Sequence, residues 1–521
     1  MSPANPPKAQ SADVALLLEG TYPYVAGGVS SWVHQIIRGF PDIRYAVVFV
    51  GSQRKDYGAM KYDFPPNVVH FEDHYLHEKG IAPPVEAIAG DAEIFEQVDR
   101  LHEYFRSPRN HAGDAGLLNE LGRELGGRLG HAQFLYSEEA WQYVRRQYQR
   151  YCTDPSFVDY FWTVRTMHAP IWLLADICEN LLPVRAYHTV STGYAGFLGA
   201  LLKHKTGHPL ILSEHGIYTK ERKIDLFSAQ WIADTRNIFQ RDTTELSYFQ
   251  QMWIRFFEAL GRSCYDAADQ ITALYETNRQ RQISDGAAPE KTRNIPNGID
   301  VPRFAALRAA RPATPPQVLC LIGRVVPIKD VKTFVRAMRT VINQIPEAEG
   351  WIAGPEDEDP EYAAECHALA VNLGLGEKVR FLGFQKLTEL LPKIGLVVLS
   401  SISEALPLVL LEGYAAGVPV VSTDVGSCRQ LIYGLDAADR ALGASGRVVG
   451  IADPQALAQA AIGLLEPSAW HAASAAGIRR VETYYAQDRM FASYREVYDR
   501  ALSPVRLVPP SEQGRGKCPV A

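Results

Sequence analysis

The chain has 521 residues, 47% of them hydrophobic and 21% charged, with a formal net charge of −6. That length exceeds what one hydrophobic core serves, so two large domains are expected. The acidic balance excludes a general nucleic-acid binder, which needs a basic footprint. No apolar run approaches the roughly 18 residues of a membrane span, and the start MSPANPPKAQSA lacks both the basic and the apolar region of a signal peptide. Seven cysteines without CxxC spacing read as free thiols of a reducing cytoplasm, not as a zinc site or a disulfide frame.

Residues 1–12 read as a disordered N-terminus, and a first domain is expected over 13–308. It opens with the apolar strand DVALLLEG (13–20), a Gly-rich loop with Gly27 and Gly28, and a helix from about Val29 that carries Trp32, Val33, Ile36 and Ile37 on one face. The loop is no GxGxxG, which disfavours a dinucleotide site. Strands follow at RYAVVFVG (44–51) and NVVHFED (67–73). Over 75–165 charged and aromatic residues dominate and Leu and Tyr recur at helical intervals, which predicts a helical insertion; acceptor recognition, a lid and a partner surface are all open as its role. Strand and helix alternate again through RAYHTV (185–190), STGYAGFLGALL, PLILSEHG (209–216), QITALYE (270–276) and TRNIPNGID (292–300), the pattern of a parallel sheet with right-handed crossovers. His188 and His215 close two of these strands. A histidine at a strand end is more often structural than functional.

Pro312, Pro315 and Pro316 in RAARPATPPQ mark a linker, and a second domain is expected over 309–485. Its strands are VLCLI (318–322), GWIAG, VRFLGF, LVVLSS (396–401), PVVST and GRVVG. A helix over 486–502 lacks a strand partner, and the Pro- and Gly-rich 503–521 reads as a disordered tail.

The chemistry concentrates in SEALPLVLLEGYAAGVPVVSTDVGS. After the strand LVVLSS, Pro407 sits where a helix can begin, Leu408, Leu411, Ala415 and Ala416 continue at helical spacing, and Gly417 ends the run. The N–H groups of Leu408 and Val409 at that helix start make an anion site. A pyrophosphate there would leave Glu404 beside one end and Glu412 beside the other, an arrangement suited to a nucleotide-sugar. Glutamates near helix starts are common for dipole reasons alone. Here, however, Arg324 and Lys329, in GRVVPIK after the 318–322 strand, place two cations on the same sheet edge, as a diphosphate leaving group requires. The acidic run EDEDPE (356–361) is read as a solvated loop and not as a metal site.

The pattern GR-x4-K, ExxxxxxxE, G-x-P-V-V and T-D-x-G resembles the donor-binding half of the retaining GT4 glycosyltransferases, which have the GT-B fold of two Rossmann-like parallel-sheet domains facing a cleft. EGTYPYVAGGVSSWVHQII (19–37), SEHGIYTKER (213–222) and IPNGIDVPRF (295–304) resemble the cytosolic glycosyltransferases of Pel exopolysaccharide biosynthesis. Together the resemblances cover about 13–500 and imply an α/β protein with the insertion in its first, acceptor-side domain. They also imply a terminal helix crossing back to that domain, and a hexosyl transfer from a UDP-sugar, UDP-glucose or UDP-N-acetylhexosamine, with retention of configuration. They imply that Gly27 and Gly28 lie across the cleft beside the donor phosphates and acceptor, and that His215 lies near the donor sugar. Glu412 is then expected on the ribose, Glu404 on the hexose, and Arg324, Lys329, Leu408 and Val409 on the departing UDP. No metal or other cofactor is implied. The implied partners are the donor, a glycan acceptor and inner-membrane polysaccharide-export proteins that would recruit a cytoplasmic protein. Tyr218, Lys220 and Arg222 are expected in a polar loop facing the cleft. The alternatives are a silent nucleotide-sugar sensor or export scaffold and a GT-B epimerase; a phosphorylase lacks a motif for its pyridoxal-phosphate lysine.

Overall fold

The computed structural model describes residues 7–77, 88–106, 131–227, 229, 232 and 246–503. Two sheets organise it, and every pairing between named strands in both is parallel. The first has seven strands: β1 (Val14–Glu19), β2 (Tyr45–Gly51), β3 (Val68–Tyr75), β4 (Ala186–Thr189), β5 (Leu210–Glu214), β6 (Gln270–Ala273) and β7 (Thr292–Asn294), in the order β3-β2-β1-β4-β5-β6-β7. The second has six: β8 (Val318–Ile322), β9 (Glu349–Ala353), β10 (Val379–Gly383), β11 (Leu396–Leu399), β12 (Val420–Thr423) and β13 (Gly446–Val449), ordered β10-β9-β8-β11-β12-β13. Helices cover both faces, so strands such as AVVFV and LVVL are apolar at every position and fully buried. The order reverses between β1 and β4 and between β8 and β11. At such points an open α/β sheet leaves a crevice beyond its strand ends for a ligand.

Helices Ala92–Arg106, His131–Tyr136, Glu138–Tyr151 and Phe157–Asn180 fill the region between β3 and β4. The last of these runs without interruption through the expected insertion boundary at 165 and ends only at Asn180. It joins the same hydrophobic core as the helices Tyr194–Thr206 and Tyr248–Ala267, so the insertion is part of the domain's core. Residues 78–87 and 107–130 of the insertion and 504–521 of the expected tail lie outside the described residues. Residues 7–12, expected to be disordered, run instead beside β3: the Ala9 N–H donates to the Val69 carbonyl, the Phe71 N–H donates to that of Pro7, and Ala12 is buried.

The proline-rich linker is docked, not free. Arg308 reaches the Ala415 carbonyl (2.7 Å) and Glu482 (2.7 Å), and Arg311 reaches the Leu391 carbonyl (2.6 Å) while lying 5.2 Å over Trp470. The helix Gln487–Leu502 packs on the first domain. Tyr498 meets His188 at 2.8 Å, Tyr494 donates to Ser213 at 3.1 Å, and Arg495 pairs with Asp42 at 2.7 Å. Gly298 of the Asn-Gly turn permits this crossing, because a Cβ there would lie 2.6 Å from Gln487 Cα. The six cysteines among the described residues are free.

Candidate active site

The carboxyl edge of the second sheet gathers most of the residues singled out above. β8 ends at Ile322, and Gly323 turns the chain into Arg324. The run GRVVPIKDVKTFVRAM reads as a Gly-Arg turn with Lys329 opening a helix, but Lys329 does not open one. It closes the 3₁₀ turn Pro327–Lys329, and Asp330, in the left-handed region (φ 44°), caps the helix Val331–Gln344 through the Thr333 N–H (3.2 Å). A non-glycine residue in that region is strained, and two bonds to the next strand end hold the turn in place. Ser400 Oγ donates to the Lys329 carbonyl at 2.9 Å, and the Ile402 N–H donates to the Ile328 carbonyl at 2.9 Å. The side chains meet as well: Lys329 Nζ lies 2.5 Å from Glu404 Oε1, which also accepts from Ser401 Oγ at 2.7 Å. Gly426 of T-D-x-G supports this loop from behind. Its φ is +52°, and a Cβ would fall 2.3 Å from the Glu404 carbonyl oxygen.

Pro407 is the residue before the helix Leu408–Ala415 and not its first, so the N–H groups of Leu408 and Val409 start that helix and have no intrahelical partner. Glu412, just over one turn in, is buried enough that its carboxyl is pushed up to about 7, with Arg303 opposing the shift. Arg324 is half-exposed and grips both oxygens of Glu358 (2.5 and 2.6 Å). The acidic run is thus not simply solvated: Glu356 pairs with His367 at 2.8 Å, and Asp359 caps the helix Pro360–Asn372.

On the first sheet, Gly27 and Gly28 are exposed at the start of the helix Gly28–Gly39, and a Cβ at either would meet nothing within 4 Å. Packing does not demand these glycines, so what they provide is open backbone. His215 lies one residue beyond β5, buried, 4.6 Å edge-on from Trp32, with Nε2 lacking a hydrogen-bond partner. Burial lowers its pKa to about 4, so the ring is neutral at pH 7. Glu214 before it is 1% exposed, and its carboxyl is pushed up to about 7 despite hydrogen bonds from Tyr265, Gln282, Thr192 and the Tyr218 N–H. His188 is a core residue, held between Tyr498 and Ser213 (2.8 and 2.9 Å). Tyr218, Lys220 and Arg222 belong to the helix Tyr218–Phe227, not to a loop. Asn297 is buried, and Asp300 caps the short helix Val301–Ala305. Sequence reasoning passed over Ser400, Ser401, Glu358 and Glu19. The two serines stood next to Glu404 in LVVLSSISE and were the findable ones.

Residues 12–290, just over half of the 521, match the family model described as Domain of unknown function (DUF3492). The chain belongs to this family. Residues 316–467 of this DUF3492 chain match the model described as Glycosyl transferases group 1. A D-inositol 3-phosphate glycosyltransferase 2 of Catenulispora acidiphila is 30% identical over 264 residues, 47% of this chain and 58% of that protein. The DUF3492 chain thus spans little more than half the length of that relative. A D-inositol 3-phosphate glycosyltransferase of Nocardioides sp. is 26% identical over 354 residues, 63% of this chain and 70% of that one. Among solved structures, Anabaena Alr3699/HepE in complex with UDP and glucose superposes with a TM-score of 0.53 at 15% identity, covering 93% of this chain and 99% of its own. Sucrose-phosphate synthase from Thermosynechococcus elongatus gives 0.54 at 18%, covering 94% and 98%. The DUF3492 chain therefore has the GT-B fold. No helix among its described residues is long and apolar enough to cross a membrane.

Proposed function

We propose that the chain is a retaining glycosyltransferase that moves a hexosyl unit from a UDP-sugar, UDP-glucose or a UDP-N-acetylhexosamine, to a glycan acceptor. The observation that carries this reading is the second sheet's edge, where the Lys329–Glu404 pair stands beside the start of the helix Leu408–Ala415 with Glu412 one turn in. The diphosphate takes the Leu408 and Val409 N–H groups and exchanges Glu404 and Glu358 for itself on Lys329 and Arg324. Glu404, released from Lys329, binds hexose hydroxyls, while Glu412 accepts from the ribose. Gly27 and Gly28 give backbone N–H groups to the phosphates and room to the acceptor, and neutral His215 hydrogen-bonds the hexose. The C1–O bond to the β-phosphate breaks as the acceptor oxygen bonds C1 on the same face. The acceptor proton passes to the departing phosphate oxygen, so neither glutamate becomes covalently attached. Two cations and a helix start supply the charge stabilisation, without a metal in the scheme. Domain closure excludes water from the donor.

The match of residues 316–467 to group 1 glycosyl transferases supports this reading, as do UDP-bound structures of the same fold. The Pel-type assignment, PelF in particular, rests on the resemblance of the 19–37, 213–222 and 295–304 segments. It places the chain in the cytoplasm, recruited to inner-membrane export proteins. The test is UDP release by the purified protein across UDP-, GDP- and ADP-sugars, with Lys329→Ala and Glu404→Ala in parallel. Turnover with a UDP-sugar, lost in both variants, is expected. Nucleotide binding without turnover of any donor would make the chain a sensor or scaffold instead.

A further inference from the structure

A cavity of about 850 Å3 opens at the carboxyl edge of the first sheet, bounded by strand ends and by the helices Tyr194–Thr206, Tyr218–Phe227 and Tyr248–Ala267. Its floor lies at the β1/β4 reversal, where a parallel α/β sheet ordinarily offers a ligand anion the start of the next helix. Here that place is taken by the protein. Glu19, the last residue of β1, accepts from the Ala195 N–H through Oε2 at 3.2 Å and from Tyr218 Oη through Oε1 at 2.8 Å. Gly193 makes the approach possible, since a Cβ there would fall 2.5 Å from Glu19 Oε2 and 2.4 Å from Tyr218 Cζ.

The rest of the lining has the same sign. Glu221 and Asp225 join Glu19, and Arg222 is the one arginine or lysine among the described lining residues, with Lys220 close enough to act on the Glu221 carboxylate. The Arg222 guanidinium is occupied: it lies 3.3 Å from Asp225, 5.1 Å over the Tyr218 ring and 5.8 Å over Phe257. Tyr57, Tyr194, Trp253 and Phe257 give the walls aromatic faces. An aromatic pocket with a few fixed polar groups suits sugar rings. Carboxylates in excess accept from hydroxyl or ammonium groups and repel a phosphate.

We propose that this cavity is the acceptor subsite of the transferase, resting on the reading above, and that it takes a glycan end without phosphate or carboxylate. Such an end is neutral or amino-bearing, and Glu19 is the residue that refuses an anionic one. In this the chain departs from the D-inositol 3-phosphate glycosyltransferases it resembles, whose name carries a phosphate.

The test is saturation-transfer NMR on the full chain with three probes: N,N′-diacetylchitobiose, its de-N-acetylated form and D-inositol 3-phosphate. The two disaccharides are expected to bind and the inositol phosphate not to. Glu19→Gln, close to isosteric, is expected to weaken the amino-bearing disaccharide about fivefold, leave the neutral one within about twofold, and admit the inositol phosphate. Asp225→Asn, at a more exposed position, should shift the amino-bearing probe in the same direction if Glu19→Gln does not fold. Inositol phosphate binding the wild type as tightly as the neutral disaccharide overturns the inference, and so does failure of all three to bind. The readout needs no donor. Failure here beside UDP-sugar turnover drops the acceptor class alone; probe binding without turnover drops the transferase and keeps the cavity's ligand class.

Discussion

The two domains repeat one device and use it in opposite senses. Each sheet reverses its order once, and at each reversal a strand end meets the start of a helix. In the second domain the helix start at Leu408 has no side-chain cap, and Lys329 and Arg324 are held by Glu404 and Glu358, which a diphosphate displaces in the proposed reaction. In the first, the Ala195 N–H is already satisfied by Glu19. On the proposed reading, one strand-to-helix geometry makes an anion site or a polyol site, depending on whether the chain supplies its own anion.

The largest effect that probes this contrast is on stability. The second domain is braced by Arg480, fully buried, whose Nε lies 2.6 Å from Asp439 and whose Nη atoms reach the Ile432, Asp439 and Gly443 carbonyls. The first domain uses the uncharged His188 between Tyr498 and Ser213. Arg480→Ala strands a buried carboxylate and is expected to cost about 3–5 kcal/mol. His188→Ala strands hydroxyls and should cost about 1–3 kcal/mol. Urea unfolding of both variants ranks them; equal costs would deny that the braces differ in kind.

Catalysis comes next. Lys329→Ala removes a cation from the leaving group and frees Glu404 to repel it, so kcat for UDP release is expected to fall about 10²- to 10³-fold. A change confined to KM would mean that Lys329 serves binding only.

The pH dependence is smaller. Glu412 has its carboxyl raised to about 7, and in the proposed complex ribose hydroxyls donate to the ionised form. Affinity for a UDP-sugar is therefore weak when Glu412 is protonated, rises as pH passes through about 7, and levels off above it. About tenfold is expected between pH 6 and 8, and Glu412→Gln should flatten the profile. A UDP-sugar is the right titrant because the terminal phosphate of UDP itself titrates near pH 6, at about the usual second phosphate pKa. A wild-type profile already flat would remove Glu412 from the ribose.

The smallest effect belongs to Glu358. Its pair with Arg324 is half-exposed and contributes about 0–1 kcal/mol. Glu358→Ala should therefore tighten donor binding by at most about fivefold in calorimetry. A loss of affinity would assign Glu358 to the donor and not to a displaceable cover.

Much of this arrangement was readable in the chain because parallel strands buried on both faces are continuous apolar runs. VLCLI, LVVL and VVST announce themselves, and the groups that matter in the second domain follow them within a few residues. Two parallel-sheet domains were legible for that reason, whereas the GT-B assignment came from the resemblance of GR-x4-K, ExxxxxxxE and T-D-x-G to the GT4 glycosyltransferases. What was not legible depends on contacts far apart in sequence. His188 meets Tyr498 at a separation of 310 residues, and the Arg324–Glu358 pair spans 34. Glu19 looked like an ordinary strand end, since nothing local says that Ala195, 176 residues on, would donate to it. The insertion boundary at 165 failed because one helix, apolar over most of its second half, continues unbroken to Asn180.

The most direct test of the contrast is hydrogen exchange of the full chain with and without UDP. Slower exchange is expected over 322–332 and 402–412, where the diphosphate would settle, with no change over 190–196. Protection at 190–196 instead, at the helix start that Glu19 fills, would contradict the account.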